Sequence, residues 1–177
     1  MLLIATLLAC SPADSGSSDT GDNTVDITAP PLVINEVLAS NHTTNTDNAG
    51  EHNDWVEIYN TGSTIVQLDG FYLSDDQQEP TKYAMPAGVG INAGGFIAVW
   101  CDGQPEQQTE IEYHTNFKLN RAADFVFLNY AEDNPVVTAD SVYWEAEQTP
   151  DVAAARVPDG SETWVNQAAT YDATNGG

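Results

Sequence analysis

The chain has 177 residues, of which 27 are Asp or Glu and four are Lys or Arg, for a formal net charge of -23. Lys82, Lys118, Arg121 and Arg156 cannot line a basic stripe in that acidic field, which excludes affinity built on phosphate neutralisation and with it direct nucleic-acid binding. The length suits one domain behind an unstructured beginning, and a folded part of roughly 145 residues buries about two thirds of its unfolded surface, so one core suffices without disulfide or metal.

Residues 1–9 read Met-Leu-Leu-Ile-Ala-Thr-Leu-Leu-Ala, ahead of Cys10. This run is far shorter than the ~20 apolar residues a membrane-crossing helix needs, and it reads as the apolar part of a processed export signal, with a buried N-terminal strand as the alternative. Its end, Leu7-Leu8-Ala9-Cys10, resembles a lipobox, so residues 1–10 are expected to be a lipoprotein signal peptide with Cys10 as the lipidation site. No Lys or Arg precedes the apolar run, which leaves room for a start upstream of Met1. Residues 11–31 are rich in Ser, Asp, Gly and Thr, carry Asp14, Asp19, Asp22 and Asp26, and hold no base. Such a segment buries too little to offset its chain entropy and is expected to be a disordered, acidic tether. Ser11 beside the lipidated cysteine resembles the sorting context of Gram-negative outer-membrane lipoproteins. The expected location is therefore exported and lipid-anchored, at the outer membrane or cell surface, with membrane contact through the anchor alone.

From Leu32 onward the pattern is of period two or continuously apolar over short runs, punctuated by Gly, Pro, Asn and Asp. Strands are expected over 32–38, 54–60, 65–68, 71–74, 82–85, 96–101, 116–119, 125–130 and 141–144. In 54–60, Val56 and Ile58 share one face while Trp55, Glu57 and Tyr59 share the other. The runs 96–101 and 125–128 are apolar on both faces, as central strands are. Asn60-Thr61-Gly62-Ser63 and Ala93-Gly94-Gly95 offer the positive φ of tight turns. About eight or nine short strands at this spacing predict an all-β, immunoglobulin-like β-sandwich over 32–177, with a barrel as the alternative. Cys101 falls in a strand and reads as a small buried hydrophobe, since no base lies near it in sequence.

Seven stretches, in order, resemble the lamin tail domain family. They are Ile34-Asn35-Glu36-Val37, Asp54-Trp55-Val56-Glu57-Ile58-Tyr59-Asn60, Leu68-Asp69-Gly70-Phe71-Tyr72-Leu73-Ser74-Asp75, Met85-Pro86-Ala87-Gly88, Ile91-Asn92-Ala93-Gly94-Gly95-Phe96, His114-Thr115-Asn116-Phe117-Lys118-Leu119 and Arg156-Val157-Pro158-Asp159-Gly160. The resemblance implies an immunoglobulin-like module used for attachment and without catalysis of its own. Its framework residues are Asn35, Glu36, Trp55, Glu57, Asn60, Gly70, Phe117, Arg156, Asp159 and Gly160. The family's closing Thr-Pro-Gly is replaced by Ala169-Thr170-Tyr171-Asp172-Ala173-Thr174, so the last edge is expected to fray or to be capped differently.

The chemistry of single residues gives less. His42, His52 and His114 stand in no nucleophile elbow, phosphate-binding glycine loop or metalloprotease helix, and no catalytic residue is assigned. His114 reads as packed or hydrogen-bonded. The polar loop 41–53 holds Asp47, Asn48 and Glu51 next to Asp54, and a hard cation such as calcium would take their oxygens, although the EF-hand spacing is missing. Zinc through His42 and His52 is a weaker alternative. Arg156 is expected to pair with Glu36 or Glu57, tying the last segment to the opening strands. Trp144 and Trp164 could form a sugar-binding platform, though a Trp in a small sandwich is more often core. The expected function is a surface-anchored, non-catalytic binding or scaffolding module that contacts an envelope protein or polysaccharide. The alternative is a calcium-dependent adhesive or carbohydrate-binding module.

Overall fold

The computed structural model describes residues 28–132 and 135–176 and the backbone of Ile4–Ala5. Cys10, the rest of the leader and residues 11–27 of the tether lie outside the described residues. In chain order the strands are β1 Ile4–Ala5, β2 Leu32–Leu38, β3 Trp55–Asn60, β4 Val66–Gln67, β5 Phe71–Ser74, β6 Tyr83–Ala84, β7 Gly90–Ile91, β8 Phe96–Trp100, β9 Asp124–Tyr130, β10 Val137–Trp144, β11 Val152–Arg156 and β12 Trp164–Ala168. They form two five-stranded antiparallel sheets, β1-β10-β9-β5-β6 and β12-β11-β2-β3-β8, and a small β4-β7 ladder. The first is called here the front sheet and the second the back sheet.

The alternation read in β3 explains the layers. Val56 and Ile58 point inward and meet Ile34 and Val99 of the back sheet and Phe71, Leu73, Val126, Leu128 and Val142 of the front sheet, forming one core. Trp55 and Glu57, on the opposite face, are also 0% exposed. The back sheet is therefore covered on both sides, and its outer cover is the chain's own tail. Tyr171 packs edge-on against Trp55, with centroids 5.3 Å apart, and stacks on Trp100 at 5.2 Å. Leu38 and Ala153 complete this second, smaller cluster. The altered closing segment is thus capped, not frayed, because an aromatic ring fills the place over two tryptophans.

Several expectations need correction. Residues 116–119 form no strand: Phe117 and Leu119 are buried, but the chain there makes only a single bridge, Asp102 to Lys118. Strand β8 is not central; it is the edge of the back sheet, and its doubly apolar pattern reflects a different cover. The 113–115 segment runs alongside it, with Trp100 N–H donating to Tyr113 O and Thr115 N–H to Trp100 O, each at 2.8 Å. Strands β11 and β12, absent from the expected set, complete the back sheet. Gly94 has the expected positive φ, but Gly62 does not. Gly62 is instead required by crowding, since a Cβ there would lie 2.7 Å from Pro31 Cγ.

Cys101 is 2% exposed, and burial pushes its thiol well above the ordinary range. The native protein is expected to leave Cys101 unmodified by iodoacetamide at neutral pH and to react only on unfolding, which mass spectrometry with and without denaturant would read.

Candidate functional site

The framework residues gather on the outer face of the back sheet. A bulge between Ile34 and Glu36 breaks the β2-β3 register, so Glu36 sits opposite Glu57 with Asn35 beside them. Asn35 Nδ2 donates to Glu57 Oε1 at 3.1 Å and to Asp159 Oδ1 at 3.0 Å, while its Oδ1 accepts Gly160 N–H at 2.9 Å. The tail supplies the remaining donors. Thr170 gives its N–H and hydroxyl to the two Glu36 oxygens, Ala173 N–H meets Glu57 Oε2 at 3.3 Å, and Asn175 N–H meets Asp159 at 3.0 Å. Gly160 adopts φ +70, and a Cβ there would lie 2.7 Å from Thr61 Cγ2 and press tightly on the Tyr59 ring.

These carboxyls have no cation among the described residues. Burial pushes Glu36 up to about 7 and Glu57 up to about 8, and the neighbouring Glu36 adds to the rise at Glu57. Arg156 does not pair with either. Its guanidinium donates Nη2 to both Asp140 oxygens at 3.0 and 3.1 Å, Nε to Ile34 O at 2.8 Å and Nη1 to Ser161 O at 2.6 Å. Asp140 also accepts the Ile34 and Ser141 N–H groups, each at 2.8 Å. The arginine does tie the last segment to the opening strand, but through the β2 carbonyl and a carboxylate of β10. Trp164 covers it, with the guanidinium 4.7 Å from the ring centroid.

The other framework positions serve turns and packing. Asn60 Nδ2 donates to Thr64 O and Ile91 O, both at 2.8 Å, closing the turn after β3. Gly70 adopts φ +81 at the entry to β5. Phe117 is buried beneath the Lys82 ammonium, 5.6 Å from its centroid.

The four residues read as calcium ligands divide between two places. Asp47 Oδ1 accepts the N–H groups of Ala49 and Glu51, each at 2.9 Å, and Oδ2 accepts Asn53 Nδ2 at 2.8 Å. Asn48 N–H donates to Glu112 Oε1 and Glu51 accepts from the Gln104 amide, each at 3.0 Å. Asp54 instead accepts Asn41 N–H at 2.8 Å and lines a cleft with Ser40, His42 and Lys118, where burial raises it to about 6. Asp47 converges with residues the sequence did not associate with it: a ligand-type atom of each of Asp47, Asp102 and His114 lies within 4.8 Å of the others, and all three residues are buried.

Two features bear on catalysis and sugar binding. Ser40 Oγ lies 3.4 Å from His42 Nε2 in that cleft, and among the described residues no side chain is hydrogen-bonded to His42 Nδ1 to orient the imidazole. Trp144 is core, its indole N–H held by Asn120 O at 2.9 Å, and Trp164 covers Arg156, so neither forms a platform. The aromatic surface that is open lies on the front sheet. Phe125 pairs with Tyr143 across β9 and β10, packs at a tilt against Phe127 with centroids 5.2 Å apart, and stands 37% exposed. These rings line a groove of about 500 Å³ beside Asp124 and Glu145.

The family model of the lamin tail domain matches residues 26–146. No curated protein matches the chain. The matched span runs from the tether through β10 and leaves out β11, β12 and the tail, although those residues complete the back sheet. The match covers well over half of the sequence, and the observed fold is the immunoglobulin-like sandwich of a non-enzymatic domain family. The chain belongs to the lamin tail domain family.

Proposed function

We propose that the chain is a lipid-anchored attachment module that holds a basic protein at the cell envelope through the open face of its front sheet. The observation that carries this reading is the contrast between the two sheets. The tail covers Trp55 and Trp100 of the back sheet, whereas Phe125 and Tyr143 of the front sheet line an accessible groove over the buried Phe127. Aromatic side chains on a rigid sheet bury large area at low entropic cost, and such groups dominate interface energetics. Asp124 and Glu145 beside the rings, within a chain of net charge -23, favour a partner with Lys or Arg around an apolar centre. Lipidation at Cys10 would remove β1 with the leader and leave β10 as the edge of the front sheet, and the acidic tether would hold this face away from the membrane.

Membranes carrying the tagged chain, cross-linked and solubilised, test the reading. A basic protein is expected to co-purify with the wild type, to be lost with the double substitution Phe125→Ser and Tyr143→Ser, and to weaken with added salt. Chelation should leave it unchanged. Capture that survives the double substitution removes the reading, and calcium-dependent retention on glycans would favour the adhesive alternative. In parallel, Cys10→Ala should move the protein from the membrane to the soluble fraction.

A further inference from the structure

We infer that the outer edge of β10 is a strand acceptor, where the basic partner docks as an extended segment alternating apolar residues with Lys or Arg, in place of the chain's own leader. This rests on the attachment reading and adds to it the way in which the partner is held. The front sheet treats its two edges differently. At one end β6 is two residues long, too short to template another strand. At the other end β10 runs for eight residues. Its first half is guarded, since a register shift between Thr138 and Asp140 disturbs the ladder and Asp140 is turned inward to Arg156 and β2. Its second half, 141–144, has neither charge nor proline to discourage pairing. That half is where β1 lies, antiparallel, with Ile4 opposite Trp144 and Ala5 opposite Tyr143.

The faces of β10 set the chemistry of the occupant. Val142 and Trp144 belong to the core, so an added strand needs an apolar residue opposite Trp144, the position Ile4 holds. Tyr143 lies on the other face, beside Phe125 and in the groove that Asp124 and Glu145 also line. A cation opposite Tyr143 meets an aromatic ring and a carboxylate at once. The leader places Ala5 there and has no Lys or Arg among residues 1–10. It therefore matches the main chain and the rim of the core but leaves the aromatic row and its acids unmatched. A segment with Lys or Arg at that register position matches all of them, and main-chain pairing with alternate side chains read by pockets is the established logic of strand addition. Removal of the leader at Cys10 would bare the same edge to it.

The probe is the end-blocked, dye-labelled peptide Lys-Ile-Lys-Val-Lys-Ile-Lys, followed by fluorescence anisotropy. The protein is the full chain with Cys10→Ala, which keeps the leader attached, with and without the added pair Ile4→Pro and Ala5→Pro. Proline removes the N–H groups β1 needs for its ladder, so the proline chain is expected to bind the peptide about 10-fold more tightly than its parent. Two further peptides are N-methylated, one at every Lys and one at every apolar residue. Successive N–H groups of a strand point to opposite sides, so one of the two should lose about 10-fold or more in affinity and the other should bind as the unmodified peptide does. Equal effects of the two methylation patterns, equal affinity for the two chains, or dimers of the proline chain that shut the peptide out would overturn the inference. Should the peptide fail while membrane capture is still lost with Phe125→Ser and Tyr143→Ser, the attachment reading stands and only the added strand falls. Capture that survives that double substitution removes both.

Discussion

Replacing Arg156 with alanine is expected to lower the unfolding free energy by about 3–5 kcal/mol, the range seen when one partner of a buried ion pair is removed. The side chain is 2% exposed and supplies the donors for Asp140, Ile34 O and Ser161 O at once. Without it the Asp140 carboxylate keeps only two main-chain donors, and a β2 carbonyl and a loop carbonyl lose partners in a place water does not readily reach. Arg156→Lys should recover little, because an ammonium cannot span three acceptors set out for a planar fork. Urea denaturation of the wild type, Arg156→Ala and Arg121→Ala measures this. Arg121 pairs with Glu147 in solvent, so its loss should stay below about 1 kcal/mol. Near-equal midpoints for the two alanine variants would refute the role given to Arg156.

A second large effect is a fall in stability with rising pH. Glu36 and Glu57 hold their protons in the folded state to about 7 and about 8, and the unfolded chain releases them near the ordinary carboxylate value of 4.5. Between those limits the native state binds more protons than the unfolded one, so the slope of stability against pH is negative. The contribution is complete below about pH 4.5 and is lost as pH rises through 7 and 8. Asp54, raised to about 6, acts in the same sense. Glu51 and Asp151 are lowered by hydrogen bonds and act oppositely, but only at the acid end. Tm is therefore expected to peak in mildly acidic buffer and to fall by pH 9, with the loss of order a few kcal/mol. Glu57→Gln keeps the shape and cannot ionise, so it should flatten the profile and exceed the wild type at pH 9 by about 1–2 kcal/mol. A Tm that climbs from pH 5 to 9 in the wild type would show that both carboxyls are ionised in place.

Those elements were legible in the sequence whose side chains alternate and branch at Cβ. Strand β3 shows Val56 and Ile58 on one face, and β9 shows Val126 and Leu128 alternating with Phe125 and Phe127. Strand β11 was not legible, because Val-Ala-Ala-Ala-Arg carries one good strand former and its conformation is imposed by β12 and β2 on either side. The 116–119 segment alternates as well as a strand does, yet its buried phenylalanine and leucine are delivered by a loop pinned at Thr115, whose hydroxyl donates to Phe117 O.

The framework residues could be named from resemblance, but their partners could not. Asp140 escaped notice because a register shift in β10 between Thr138 and Asp140 turns it toward β2. Asp47, Asp102 and His114 come from three separate stretches, and only the pairing of the 113–115 chain with Trp100 brings them together. The loop acids were visible as acids, and what the loop does with them depends on Asn53 standing between Asp47 and Asp102.

The position of β2 between β3 and β11 governs when the molecule can mature. The strand nearest the start of the domain has one neighbour, β3, that follows it closely and one, β11, that emerges only after β10, followed by the segment bearing Tyr171. Such long-range pairings are slow to form, and here they cannot begin until β11 and Tyr171 have been made. The outer cover over Trp55 and Trp100 consequently closes last, after the β2-β3-β8 and β5-β9-β10 pairings are already possible.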